Sequence, residues 1–114
     1  MSYQQIVSQE ELAELMKASE TQPVLFFKHS NSCGISQRAF AQFEQYLQAP
    51  ESQGIRHAVI VVQQARAVSD ALARLVGVEH ESPQAILVRA GRAVWNESHM
   101  ALKSAVLAEA IRQH

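Results

Sequence analysis

The sequence predicts an α/β fold, a central four-stranded mixed sheet flanked by helices, with elements in the order α-β-α-β-α-β-β-α. Three observations predict it. Two uninterrupted apolar runs, Val24-Leu25-Phe26-Phe27 and Ala58-Val59-Ile60-Val61-Val62, lack the polar alternation of a half-solvated strand and read as buried central strands. The segment between them carries apolar residues at helical spacing, the βαβ arrangement that makes the two strands parallel neighbours. Two later short runs, Ala85-Ile86-Leu87-Val88 and Ala93-Val94-Trp95, flank Ala90-Gly91 and read as an antiparallel hairpin.

The helices follow from caps and periodicity. Ser8-Gln9-Glu10-Glu11 is a capping-box sequence, Val7 and Leu12 are spaced as a hydrophobic staple, and Leu12, Leu15 and Met16 form an apolar stripe that runs to about Ala18. Pro23 then introduces the first strand. After it, Lys28-His29-Ser30-Asn31-Ser32 is expected to form a tight exposed turn, because five polar residues do not continue a core strand. Cys33 opens the second helix, with Ile35, Ala39, Phe43, Tyr46 and Leu47 on its apolar face and Pro50 and Gly54 beyond its end. A third helix is expected to start at a cap on Ser69 or Asp70, to bury Leu72, Leu75 and Val76, and to stop at Gly77. The last, from about Met100 to Ile111, places Leu102, Ala105, Val106, Ala110 and Ile111 on one face.

Composition bounds the function. A chain of 114 residues with 47% hydrophobic side chains suits one domain, residues 1–114, with one core. Lys and Arg number 10 against 11 Asp and Glu, so no broad positive field is available for nucleic acid or an anionic membrane. The N-terminal segment Met1-Ser2-Tyr3-Gln4-Gln5 is polar, and no apolar run approaches the ~20 residues of a membrane span. A lone cysteine makes no internal disulfide, which points to the reducing cytoplasm.

That cysteine is the candidate catalytic residue. At the first turn of a helix it meets unpaired amides and the partial positive charge of the helix end, a setting that favours thiolate over thiol. A free cysteine is also commonly a small buried hydrophobe, but Ser32 and Gly34 on either side, just past a polar turn, favour exposure. Cys33-Gly34-Ile35-Ser36 has the spacing of a Cys-x-x-Cys redox motif with serine in place of the second sulfur. Ser36 cannot resolve a mixed disulfide, so the chemistry is a monothiol cycle: Cys33 accepts a small thiol from another molecule and needs an external thiol to release it. Ser36 either donates a hydrogen bond to the Cys33 thiolate or bonds within its own helical turn.

Ser82-Pro83 before a strand is the second signal, because a cis X-Pro bond exposes neighbouring backbone to an extended substrate; as a bare dipeptide it more often marks an ordinary trans strand entry, so the expectation of a cis bond draws its weight from the surrounding topology. Lys28 lies close enough in sequence to Cys33 to favour a thiolate or a substrate carboxylate, and an exposed strand-end lysine equally needs no function. His80, beside the proline, is a candidate for orienting Cys33 or a leaving thiol, or a plain surface histidine. His29, His80 and Cys33 match no zinc spacing, so no metal is expected. Trp95 reads as hairpin packing.

These residues closely resemble the YtxJ-like family of the bacillithiol system, the monothiol bacilliredoxins, over nearly the whole chain. The similarity lies in Phe27-Lys28-His29-Ser30 with Cys33, Ile35 and Ser36, in His80-Glu81-Ser82-Pro83-Gln84, and in Ala93-Val94-Trp95 with Ser98-His99. The resemblance implies a thioredoxin-like fold that removes bacillithiol from S-thiolated client proteins through a mixed disulfide on Cys33. Bacillithiol or a similar low-molecular-weight thiol is then co-substrate, with no cofactor. Supporting positions are Ser36, Gly34, Ser32 and Lys28, and substrate-binding positions are Ser82, Pro83 and His80. Gly34 departs from the family, where proline is expected. Cys-Gly-x-Ser also resembles the monothiol glutaredoxins, which hold iron-sulfur clusters with glutathione. Against them, Lys28 is too near Cys33, and Val94-Trp95-Asn96-Glu97 stands where their Gly-Gly-x-Asp segment belongs. A non-catalytic interaction domain is the third alternative.

Overall fold

The structure, a computed structural model, describes residues 3–114; Met1 and Ser2 of the polar N-terminal segment lie outside the described residues. In chain order it contains β1 (Gln4–Gln5), α1 (Gln9–Ala18), β2 (Val24–His29), α2 (Gly34–Tyr46), β3 (Arg56–Val61), α3 (Arg66–Val76), β4 (Gln84–Arg89), β5 (Arg92–Ser98) and α4 (Ser104–Gln113). Short 3-10 turns at Pro50–Ser52 and His99–Ala101 precede β3 and α4. The five strands form one mixed sheet in the order β1-β3-β2-β4-β5. β3 runs parallel to β2, while β4 runs antiparallel to it.

The apolar runs build this sheet by burying alternate residues on both faces. Val24 and Phe26 of β2 pack with Leu12 and Leu15 of α1 and Leu72 of α3. Leu25 and Phe27 point the other way, into a second core with Phe43 and Tyr46 of α2 and Leu107 of α4. Phe27 and Phe43 stack with centroids 4.7 Å apart. Fully burying a side chain of this size stabilises by about 1.5–3 kcal/mol, so both faces of β2 are strongly specified.

Local signals hold where the chemistry is local. The Ser8 side chain accepts from the Glu11 amide while Glu11 reaches back to the Ser8 amide, the expected capping box. Gly77 ends α3 at φ 69°, a left-handed conformation that costs glycine little. Ala90 and Gly91 turn the hairpin with φ of 52° and 75°. Ser19 at the end of α1 accepts from both turn amides, through its carbonyl (2.7 Å) and its hydroxyl (2.9 Å). The Ser82-Pro83 peptide is cis, the isomer expected from the surrounding topology.

Several expectations need correction. The sheet has a fifth strand, β1, whose two residues Gln4 and Gln5 are too short and polar to carry a periodic signal and are held by pairing with Ala58 and Val59. Val7 is exposed, and the apolar anchor before α1 is the fully buried Ile6. Helix α3 begins at Arg66 after an Ala65 cap that offers no side-chain hydrogen bond; Ser69 lies inside it, and Leu75 is exposed. Helix α4 begins at Ser104, because His99–Ala101 forms its own turn, and it buries Leu107, Ala108 and Ala110 while leaving Ala105 exposed and Val106 at the exposed margin. Most consequentially, Lys28 and His29 continue β2 and are buried, so the exposed turn before the cysteine shortens to Ser30-Asn31-Ser32.

Candidate active site

Cys33 is the N-cap residue of α2, with extended backbone (φ −111°, ψ 124°), and its carbonyl accepts the first helical bond from the Gln37 amide (3.0 Å). The amides of Gly34, Ile35 and Ser36 therefore lie in the first turn, where a helix has no carbonyl to satisfy them. They and the helix dipole present positive charge at the end where the partly exposed sulfur sits. Cys33 is the chain's only cysteine.

The loop that delivers it is held from outside α2. Gln63, just beyond β3, donates to the hydroxyls of Ser30 (2.8 Å) and Ser32 (3.0 Å) and accepts from the Asn31 amide (3.1 Å). Gln37 donates to the Asn31 carbonyl (2.9 Å). Ser32 is thus a loop anchor. Neither glutamine stands out in the sequence, because each is an ordinary exposed polar residue whose partner is set by the fold; only the missing hydrogen-bond partners of the Ser-Asn-Ser turn hint that something must hold it.

Ser36 has a role different from both readings of the sequence. It is fully buried, and its hydroxyl oxygen accepts from the Ser30 amide (2.8 Å) and lies 2.9 Å from His29 Nδ1. Among the described residues these are its only hydrogen-bond partners, and both lie at the end of β2 and in the loop after it. His29 stacks on Phe40 with centroids 4.7 Å apart, and burial holds its pKa below the ordinary histidine value. The neutral ring that burial favours is the form able to accept from Ser36. Serine here bolts α2 to the end of β2.

Lys28 points to the opposite face of the sheet. Its ammonium donates to the Ser69 carbonyl of α3 (3.1 Å) and to His80 Nδ1 (3.3 Å), and Ser69 Oγ lies 3.2 Å from the same nitrogen. Burial lowers its pKa to about 8, with Asp70 partly opposing and Arg66 adding to the depression. His80 is also held below its usual value, first by burial and then by the Lys28 charge. The lysine therefore does not reach the surface beside Cys33 as an exposed strand-end residue; it ties the segment before Pro83 to α3. His80 belongs to this cluster and His29 to the α2 face, so the two histidines do not converge.

Pro83 comes to the cysteine end of the sheet by strand register. Gln84 pairs with Lys28 on β2, one residue from the strand end that leads into the Ser30–Ser32 loop. Pro83 is buried, and its carbonyl accepts from the His99 amide (3.0 Å), fixing the start of the 3-10 turn beside it. Gln84 Nε2 donates to the Glu79 carbonyl (3.0 Å), holding the loop from within. Ser82 Oγ is buried with no partner among the described residues, the one orphan polar atom of this loop. The structure thus gathers Cys33, Gly34, Ser32, Ser82 and Pro83 at one end of the sheet, with Ser36, Lys28 and His80 as internal supports.

Residues 4–107 match the family of the monothiol bacilliredoxin BrxC. Among solved structures, an oxidoreductase with a thioredoxin fold superposes with a TM-score of 0.82 at 31% identity, covering 95% of this chain and 92% of that one. The Malassezia sympodialis thioredoxin Mala s 13 matches with a TM-score of 0.80 at 16% identity over 99% of this chain and 90% of its own. Thioredoxin from Trypanosoma brucei brucei matches at 0.78 and 16%, over 98% and 89%. At that identity the two thioredoxins speak for the fold alone. No helix among the described residues is long and apolar enough to cross a membrane.

Proposed function

The chain belongs to the monothiol bacilliredoxin family and is a thiol-disulfide oxidoreductase, and on that premise we propose that it removes bacillithiol from protein mixed disulfides through a Cys33 intermediate. The Cys33 thiolate attacks the bacillithiol sulfur of the client disulfide. A new S–S bond forms, the old one breaks, and its electron pair leaves on the client sulfur, which takes a proton from water. A second, external thiol then attacks the Cys33 disulfide and leaves carrying the bacillithiol, returning Cys33 to its reduced form. The client and the low-molecular-weight thiols are the partners, the cycle needs no bound cofactor, and a reducing cytoplasm is the setting for a lone unpaired cysteine.

The observation that carries this reading is that the fourth motif position holds a serine already committed to His29 and Ser30. No second sulfur competes for the intermediate, and the buried hydroxyl keeps the helix end rigid beneath the first. The test is release of thiol from a bacillithiolated protein by wild type and by Cys33→Ser. We expect complete loss in the variant with an unchanged fold; retained single-turnover release would refute the role of Cys33.

A further inference from the structure

A cavity of about 320 Å³ lies between α2, the His99–Ala101 turn and the start of α4, outside the machinery described so far. Two of its walls come from the site itself. Ile35, in the first turn after Cys33, forms one, and His99, whose amide donates to the Pro83 carbonyl (3.0 Å), forms the other. Ile35 is 41% and Met100 66% exposed, so two apolar side chains on the lining are open to solvent. The far end is closed by Gln42, whose Oε1 accepts from the Ser104 amide at the start of α4 (2.8 Å).

The charged groups on this lining are Arg38 and Lys103, with His99 between the two helices and no acidic residue among the lining side chains. Among the described residues neither Arg38 nor Lys103 is in an ion pair, whereas His99 faces Glu81 at 3.6 Å. In a chain whose net charge is −1, two uncompensated cations on one small cavity form a local anion site. Arginine adds a planar fork suited to a carboxylate.

We propose that this cavity binds the carboxylate-bearing substituent of the small thiol while its sulfur is joined to Cys33. The inference rests on the thiol-removal reading and adds the side chains that recognise the thiol's charge. Direction of attack favours that occupant over the client. In the proposed exchange Cys33 attacks the sulfur of the small thiol, so the small thiol is the group left on Cys33 and the client departs on the far side of that sulfur. The apolar side chains Ile35 and Met100 cover the carbon skeleton, and Arg38 and Lys103 take the carboxylates.

The test uses the full chain and mixed disulfides of one neutral peptide with mercaptosuccinate, N-acetylcysteamine and cysteamine, which carry negative, zero and positive charge. The readout is the ratio of the rate constants for thiol removal. Arg38 and Lys103 are exposed, and two exposed charge pairs predict that wild type favours the mercaptosuccinate disulfide over the neutral one by about three- to tenfold, a preference that falls as salt is raised. In the double variant Arg38→Gln, Lys103→Gln the ratio should drop to about one, with the thermal midpoint checking that the fold is intact. A wild-type ratio near one, or a preference that survives in the double variant, overturns the cavity assignment while leaving thiol removal standing. A preference that instead tracks acidic residues placed in the peptide assigns the cavity to the client and overturns the proposal. Failure to remove any of the three thiols refutes the underlying reaction as well.

Discussion

Ser36→Ala is the substitution that separates a redox role for the fourth motif position from a structural one. The side chain is fully buried and makes two hydrogen bonds, from the Ser30 amide at 2.8 Å and with His29 Nδ1 at 2.9 Å. Each such bond contributes about 1 kcal/mol net, and leaving the half-enclosed ring nitrogen without a partner costs about 1 kcal/mol more, so the expected loss is about 2–3 kcal/mol. For a domain near this size each kcal/mol lowers Tm by roughly 4–5 °C, which puts the variant about 10 °C below wild type. Urea unfolding and a thermal scan measure it. A double-mutant cycle with His29→Phe, which keeps the stack on Phe40 and removes the orphan nitrogen, should recover part of the loss. Thiol release, measured well below the variant's midpoint, should stay within about threefold of wild type, because one hydrogen bond to a neighbour changes the reaction at most indirectly. A Tm within about 2 °C of wild type, or a loss of release as complete as in Cys33→Ser, would refute the reasoning.

Other predictions follow from single features. Lys28, depressed to about 8 by burial, loses its proton in the folded protein before it does in the unfolded chain. The unfolded state therefore binds the extra proton between about pH 8 and 10.5, and stability rises with pH across that window; unfolding at pH 7.5 and 10 should show wild type gaining on the order of 2–3 kcal/mol relative to Lys28→Met. Equal slopes in the two proteins would mean that Lys28 is not desolvated. His57, buried against the Tyr46 hydroxyl at 2.9 Å, is pushed down to about 4. Its contribution is present above the ordinary histidine range and is lost as pH falls from about 6.5 to 4, on the order of 3 kcal/mol, and His57→Gln should flatten that acid limb in urea titrations. Gly34 is the first residue of α2, follows an extended Cys33, and has open space where a side chain would project. Gly34→Pro should therefore stabilise by about 0.4–1 kcal/mol in a denaturant titration, and a destabilised variant would contradict the open first-turn geometry.

The residues behind these predictions mark where sequence reasoning reaches and where it stops. Val24-Leu25-Phe26-Phe27, the Ser8-Glu11 box, the Gly77 stop and the Cys33 cap were readable because burial, capping and glycine conformation are local signals. Lys28 and His29 were not, because a charged and a titratable residue after an apolar run read as the start of a turn. What buries them lies far along the chain, in Ser69, His80, Ser36 and Phe40. Ser69 misled in the same way: its oxygen atoms serve Lys28 and His80, so a residue that looks like a helix cap sits inside α3. The start of α4 was hidden because its cap, Lys103, offers no side-chain hydrogen bond. At the site, the cysteine and the proline were legible as types of residue. The clamps on their loops, Gln63 and Gln84, were not, since a glutamine becomes a clamp only when folding brings a loop to it.

The role of Cys33 as the carrier of the small thiol is read from the mass of the protein after reaction with a bacillithiolated client, followed by the same incubation with iron, sulfide and glutathione. Cys33 should carry one bacillithiol, removed by a reductant and absent from Cys33→Ser, and no coloured species should form with iron. A single thiolate per chain would need two chains and two external thiols to complete a four-sulfur [2Fe–2S] site. A stable, coloured, glutathione-dependent dimer, or a client freed of its thiol without any adduct on Cys33, would contradict this role of Cys33.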